Sequence, residues 1–170
     1  MITKILSVPF FTQLDNLLNP HGSCNVTSIA MCLWYLGVRG DGSMPQLEDQ
    51  LYRLCLTHGL SRHSPTDLAK LVKLKGKNDV FKSTATLQNI VESIDSNKPT
   101  VVHGYFTRSG HIIECHGYTS DGFICHDPYG NYKDGYTGKP ETGKDVFYST
   151  QLIKDVCMPD GKLWLHSISN

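Results

Sequence analysis

No stretch of this chain approaches the roughly 18 consecutive apolar residues that a membrane-spanning helix needs, so no membrane span is expected. Nor is there an excess of either charge: Lys plus Arg number 16 and Asp plus Glu number 16. A chain with no basic field has nothing to attract nucleic acid or an anionic membrane surface, and neither is expected as a partner. The N-terminus, MITKILSVPFFTQ, lacks the uninterrupted apolar core of a signal peptide, because Pro9 and Gln13 break it. The expected site of synthesis and residence is therefore the cytoplasm, with later release to a cell wall left open. CxxC pairs are absent, and so is any regular cysteine spacing. The six cysteines (Cys24, Cys32, Cys55, Cys115, Cys125 and Cys157) are expected to be reduced thiols, one of which could be reactive. Repeats, low-complexity tracts and long linkers are missing too, which leaves 1–170 as a single domain and a monomer as the simplest state.

What is present divides into two halves. Before Pro99 the apolar residues recur at helical spacing. Val26, Ile29, Ala30, Leu33 and Trp34 predict a helix from Cys24 to Leu36, closed by Gly37. Leu47, Leu51, Leu54 and Cys55 predict a second. Ser64-Pro65-Thr66-Asp67 reads as the start of a third, and Thr86 to Ile94 as a short fourth. After Pro99, β-formers take over: Thr100–Phe106, His111–Tyr118, Phe123–His126 and Leu163–Ile168 predict strands, with Thr119-Ser120-Asp121-Gly122 as a hairpin turn. The expected fold is α+β, an N-terminal helical half packed on a C-terminal antiparallel sheet, with a cleft along the seam.

Chemistry concentrates near that seam. A thiol at the head of a helix lies at the positive end of the helix dipole, which favours the nucleophilic thiolate. Cys24, after Gly22-Ser23, stands at such a place, and its own N–H could meet a developing oxyanion. Thr27 and Ser28 are expected to brace that first turn. The sequon Asn25-Val26-Thr27 is read as coincidence inside a helix. Among the eight histidines, His111 has the best setting, because Ser109-Gly110 leaves room before it and an apolar strand follows. A hairpin at Ser120-Asp121 would carry Asp127 diagonally beside His111, where a carboxylate can orient an imidazole. Gln13, in the loop before the helix, could supply a second oxyanion donor.

Each of these residues has a plainer reading: core thiol, structural histidine, turn former before Pro128, surface amide. That reading is adopted for Cys32, Cys55 and Cys157. His103, His111, Cys115, His116, Cys125 and His126 raise the question of a metal, but their spacing fits no finger or HExxH helix, so neither metal nor other cofactor is expected. Tyr105, Tyr129, Tyr132 and Tyr136 are candidate groove walls, or merely loop surface.

Taken together, Gln13 in VPFFTQLDN, Cys24 in GSCNVTSIAM, His111 in SGHIIECHGY and Asp127 in FICHDPYG resemble the papain-like cysteine peptidases. The likeness is to the bacterial and phage branch related to the double-glycine leader peptidases, and it runs from about Val8 to Tyr148. At Asn25 the chain departs from relatives that often carry Gly followed by Pro. The resemblance implies Cys24 as nucleophile, His111 as base, Asp127 as orienter and Gln13 as oxyanion donor. It also implies a peptidase acting on a peptide or isopeptide bond, with a peptidoglycan cross-link, as for an endolysin, the favoured substrate. A papain-like acyltransferase or amidase using the same thioester, and a non-catalytic module binding peptide or metal, remain alternatives.

Overall fold

A computed structural model describes residues 1–170. In chain order the elements are β1 (Ile2–Ile5), α1 (Cys24–Tyr35), α2 (Leu47–His58), α3 (Pro65–Leu74), β2 (Asn78–Ala85), α4 (Leu87–Asp95), β3 (Thr100–Gly104), β4 (His111–Thr119), β5 (Gly122–His126), β6 (Val146–Ser149), α5 (Thr150–Cys157) and β7 (Leu163–Ser169). Four helices and four strands lie where the sequence pattern places them. β1, β2, β6 and α5 were not anticipated.

The strands form one antiparallel sheet in the order β2-β7-β3-β4-β5-β6, and β1 pairs with the far half of β4. Alternation along the strands divides the core in two. Val101, Ile112 and Ile168 point to α1, α2 and α3 and share a cluster with Ile29, Leu33, Leu51, Leu68 and Leu71. Their neighbours Val102 and Ile113 point the other way, toward Ile90 and Ile94 of α4 and Ile153 of α5. The helical half thus covers one face of the sheet, as expected, while α4 and α5 cover the other.

The helix ends follow their sequence signals. Ser64 caps α3 by accepting the Asp67 N–H at 3.2 Å, with Pro65 in the first turn. Thr86 and Asn89 form a reciprocal capping box on α4. α1 differs: its first turn carries neither a side-chain cap nor an acidic residue. No helix is long and apolar enough to cross a membrane.

Candidate active site

Cys24 is the first residue of α1. The Ser23 hydroxyl, placed to cap the helix, instead donates to the Asn19 carbonyl at 2.5 Å and accepts from Asn16 Nδ2 at 3.2 Å. The Val26 N–H donates to Asn25 Oδ1 at 2.8 Å, no side chain caps the Cys24 N–H, and the positive end of the helix dipole falls on Cys24. Thr27 Oγ1 donates to the Ser23 carbonyl at 2.8 Å, bracing the first turn. Ser28 Oγ donates to the Ile112 carbonyl at 3.2 Å and seats the helix on β4. Cys24 is half-buried, whereas the other five thiols are buried; all six are free.

His111 begins β4, directly after Gly110, whose φ of +92° makes the turn that brings the chain back. The register pairs Cys115 with Cys125 and Glu114 with His126, so Asp127, one residue beyond β5, lies diagonally across from His111. His111 Nε2 meets Asp127 Oδ1 at 2.7 Å. That contact leaves Nδ1 free, and Cys24 is the other side chain that acts on the ring. Burial by itself would lower the His111 pKa. The Asp127 charge and hydrogen bond, with a smaller push from Cys24, outweigh it and raise the value to about 10.

Asp127 is completely buried and holds four donors. His111 and the Tyr129 N–H (3.1 Å) bind Oδ1, while the hydroxyls of Tyr136 (2.9 Å) and Tyr148 (2.7 Å) bind Oδ2. Burial, then the adjacent Asp127 charge, pushes both tyrosine pKa values far up, so both phenols remain donors. A buried carboxylate is sustained only by such saturation. The Asp127 N–H donates to the Gly143 carbonyl at 2.9 Å. A Cβ at Gly143 would collide with the Asp127 carbonyl oxygen, so the loop closes this tightly only on glycine.

The Gln13 loop is tied to the same turn. The Gln13 N–H (2.9 Å) and Thr12 Oγ1 (3.1 Å) both donate to the Pro128 carbonyl. Gln13 Nε2 donates one hydrogen to the Pro20 carbonyl at 2.9 Å, which fixes the amide's orientation and leaves the second hydrogen uncommitted. Cys24, His111 and Gln13 line one groove of about 720 Å³, and Asp127 sits behind the His111 ring. Tyr129 and His21 line it as a ring pair, as do His103 and Trp164, with Tyr105 and Lys162.

The structure therefore brings the four sequence-proposed residues together. Tyr105 and Tyr129 do line the groove. Tyr132 does not; its ring packs on Phe106 at 5.4 Å. The cysteines and histidines of the β4–β5 hairpin divide between the two faces of the sheet. Cys115 and Cys125 face the α4–α5 core with their sulfurs 2.7 Å apart, whereas His116 and His126 face the other way, rings 4.1 Å apart. Tyr136 does not line the groove either, and its bond to Asp127, like Tyr148 and Arg62 altogether, was missed. Arg62 donates to the Gly22 carbonyl at 2.6 Å and lies over the Tyr52 ring, bracing the turn before Cys24. No local pattern marks any of the three, since each contact crosses loops or strands.

The family model described as the Peptidase_C39 like family matches residues 5–151. A crystal structure of a C39-like peptidase from Bacillus anthracis superposes with a TM-score of 0.65 at 16% identity, covering 100% of this chain and 98% of that one. A double glycine motif protease from an AMS/PCAT transporter, solved in complex with the leader peptide, gives a TM-score of 0.60 at 16% identity, covering 99% and 96%. The fold is the papain-like fold of these peptidases. No curated protein matches significantly.

Proposed function

The chain belongs to the Peptidase_C39 like family, and from that premise we propose that it is a cysteine peptidase whose nucleophile is Cys24. One observation carries the reading: a half-buried thiol at an uncapped helix start adjoins an imidazole whose opposite nitrogen is held by a buried, four-donor carboxylate. Asp127 orients the His111 ring and stabilises its charged form, so Nδ1 can take the proton of Cys24 as the sulfur attacks.

The Cys24 sulfur attacks the carbonyl carbon of the scissile bond. The oxyanion takes hydrogen bonds from the Cys24 N–H and the uncommitted Nε2 hydrogen of Gln13. His111 Nδ1 then gives its proton to the leaving amine as the C–N bond breaks, and a thioester remains on Cys24. Water attacks the thioester with its proton passing to Nδ1; the acid departs and Cys24 and His111 are restored.

The substrate class is a peptide or isopeptide. The open groove suits an extended chain, and a structural neighbour was solved with a leader peptide bound. A peptidoglycan cross-link stays the favoured specific target. The test is incubation of wild type and Cys24→Ala with purified peptidoglycans and with a peptide library, reading the products by mass spectrometry. Cleavage by wild type alone is expected; cleavage surviving in Cys24→Ala overturns the reading. An added amine acceptor separates hydrolysis from acyl transfer.

A further inference from the structure

The hairpin of β4 and β5 presents a second cluster on the sheet face opposite Cys115 and Cys125. Glu114, His116 and His126 each offer one ligating atom within 4.8 Å of the others, and all three side chains are buried. Asp145, where the long loop after Asp127 rejoins the sheet, brings a half-exposed carboxylate to the same place. Its Oδ1 is 3.1 Å from His116 Nε2 and 3.8 Å from His126 Nδ1. Two ligands each bound at about 2.0–2.1 Å to one tetrahedral zinc stand about 3.3 Å apart, a value these separations bracket.

The surroundings match what metal-bound imidazoles require. His116 gives its Nδ1 side to Glu114 Oε2 at 2.7 Å, and His126 donates Nε2–H to the Val8 carbonyl at 2.9 Å. A carboxylate and a backbone carbonyl are the usual outer partners that fix the tautomer of a ligating histidine. Glu114 Oε1 is buried with no partner, so a second carboxyl oxygen is left uncompensated beside the cluster. Imidazole and carboxylate together suit zinc and its neighbours rather than calcium or magnesium.

We infer that His116 Nε2, His126 Nδ1 and Asp145 Oδ1 bind one divalent transition-metal ion of the zinc type, with Glu114 and the Val8 carbonyl orienting the rings and solvent completing the shell. Binding replaces the proton between His116 Nε2 and Asp145 Oδ1, so one proton leaves as two metal–ligand bonds form there. The Asp145 N–H, now 3.1 Å from His126 Nδ1, gives up that contact to the ion. The ion would pin Asp145 two residues after Gly143, whose carbonyl holds the Asp127 N–H, and so tie the loop to the hairpin.

The test uses the full chain carrying Cys24→Ala, which removes the active-site thiol as a competing ligand. After treatment with chelator it is titrated with Zn²⁺ and with Co²⁺, whose visible absorption reports a tetrahedral site. One equivalent bound is expected, with a rise in Tm. Asp145→Asn keeps a residue that tolerates the φ of +47° found there and should weaken binding at least about tenfold. His116→Gln should do the same; if that variant misfolds, Asp145→Asn decides alone. Absence of binding, or binding unchanged by Asp145→Asn, overturns the inference.

Discussion

Two histidine–aspartate pairs in this molecule share a 2.7 Å contact and near-complete burial, yet they end on different chemistry. In the groove, Asp127 holds His111, and the other side of the ring meets Cys24. At the outer strands, Asp79 of β2 holds His166 Nδ1, and the other ring nitrogen meets His103 Nε2 at 2.9 Å. Asp127 is saturated by four donors, whereas Asp79 Oδ1 has no partner. The histidines nearest the groove differ in sign, and only His111 has a carboxylate of its own. His111 is raised to about 10, while burial, then the adjacent His166, lowers His103 to about 3. What the far nitrogen faces differs: a thiol in the groove, and a second imidazole at the outer strands.

The comparison can be broken most directly at its two aspartates. Asp127→Asn should cut kcat/KM by on the order of 10³–10⁴, because the amide no longer supports the imidazolium or selects the tautomer. Asp79→Asn should leave activity within about tenfold while costing roughly 1–3 kcal/mol of stability, the penalty for weakening a buried polar pair. Kinetics and chemical denaturation on both variants would show whether the roles separate; equal activity losses would erase the distinction. Gln13→Ala comes next in size. It removes one oxyanion donor and should lower kcat by about 10² or more with little change in KM.

Stability against pH sharpens the contrast further. His111 has a folded pKa above its unfolded value near 6.5. Its contribution is complete below pH 6.5 and is lost as pH rises toward about 10. His103 has a depressed folded value, so its contribution is complete above pH 6.5 and is lost as pH falls toward about 3. Tm profiles should therefore differ from wild type on the alkaline side for Asp127→Asn and on the acid side for His103→Gln. Profiles parallel to wild type in both variants would contradict these assignments.

The reasons one pair was legible in the sequence and the other was not are physical. Cys24, His111 and Asp127 each sit at the end of an element with its own local signal: a Gly-Ser step before an apolar helix, a Ser-Gly step before an apolar strand, an Asp-Pro after one. Counting residues around one tight hairpin then places Asp127 diagonal to His111. Asp79 and His166 are 87 residues apart and meet only because β2 pairs with β7. β2 itself, NDVFKSTA, is half exposed and polar, so nothing in its alternation announces a strand. Tyr136 and Tyr148 reach Asp127 across a loop and from β6, a strand of four residues. By contrast Glu114, a charge inside the apolar run HIIECHGY, and α5, with Leu152, Ile153 and Val156 behind the capping Ser149, did carry readable signals.

The smallest expected effect tests what the Asp79–His166–His103 chain does. His103 is neutral, and where its Nε2–H donates to His166 Nε2, its Nδ1 carries the lone pair. His103 Nδ1 is then an acceptor, and this residue forms part of the groove wall beside Trp164, whose ring lies 5.7 Å away. A fixed acceptor there suits a donor N–H of a bound peptide. His103→Gln should raise KM several-fold and leave kcat nearly unchanged, since uniform binding is lost without touching the reacting atoms. A fall in kcat with unchanged KM would instead place His103 in the chemistry, and the two relays would no longer differ in kind.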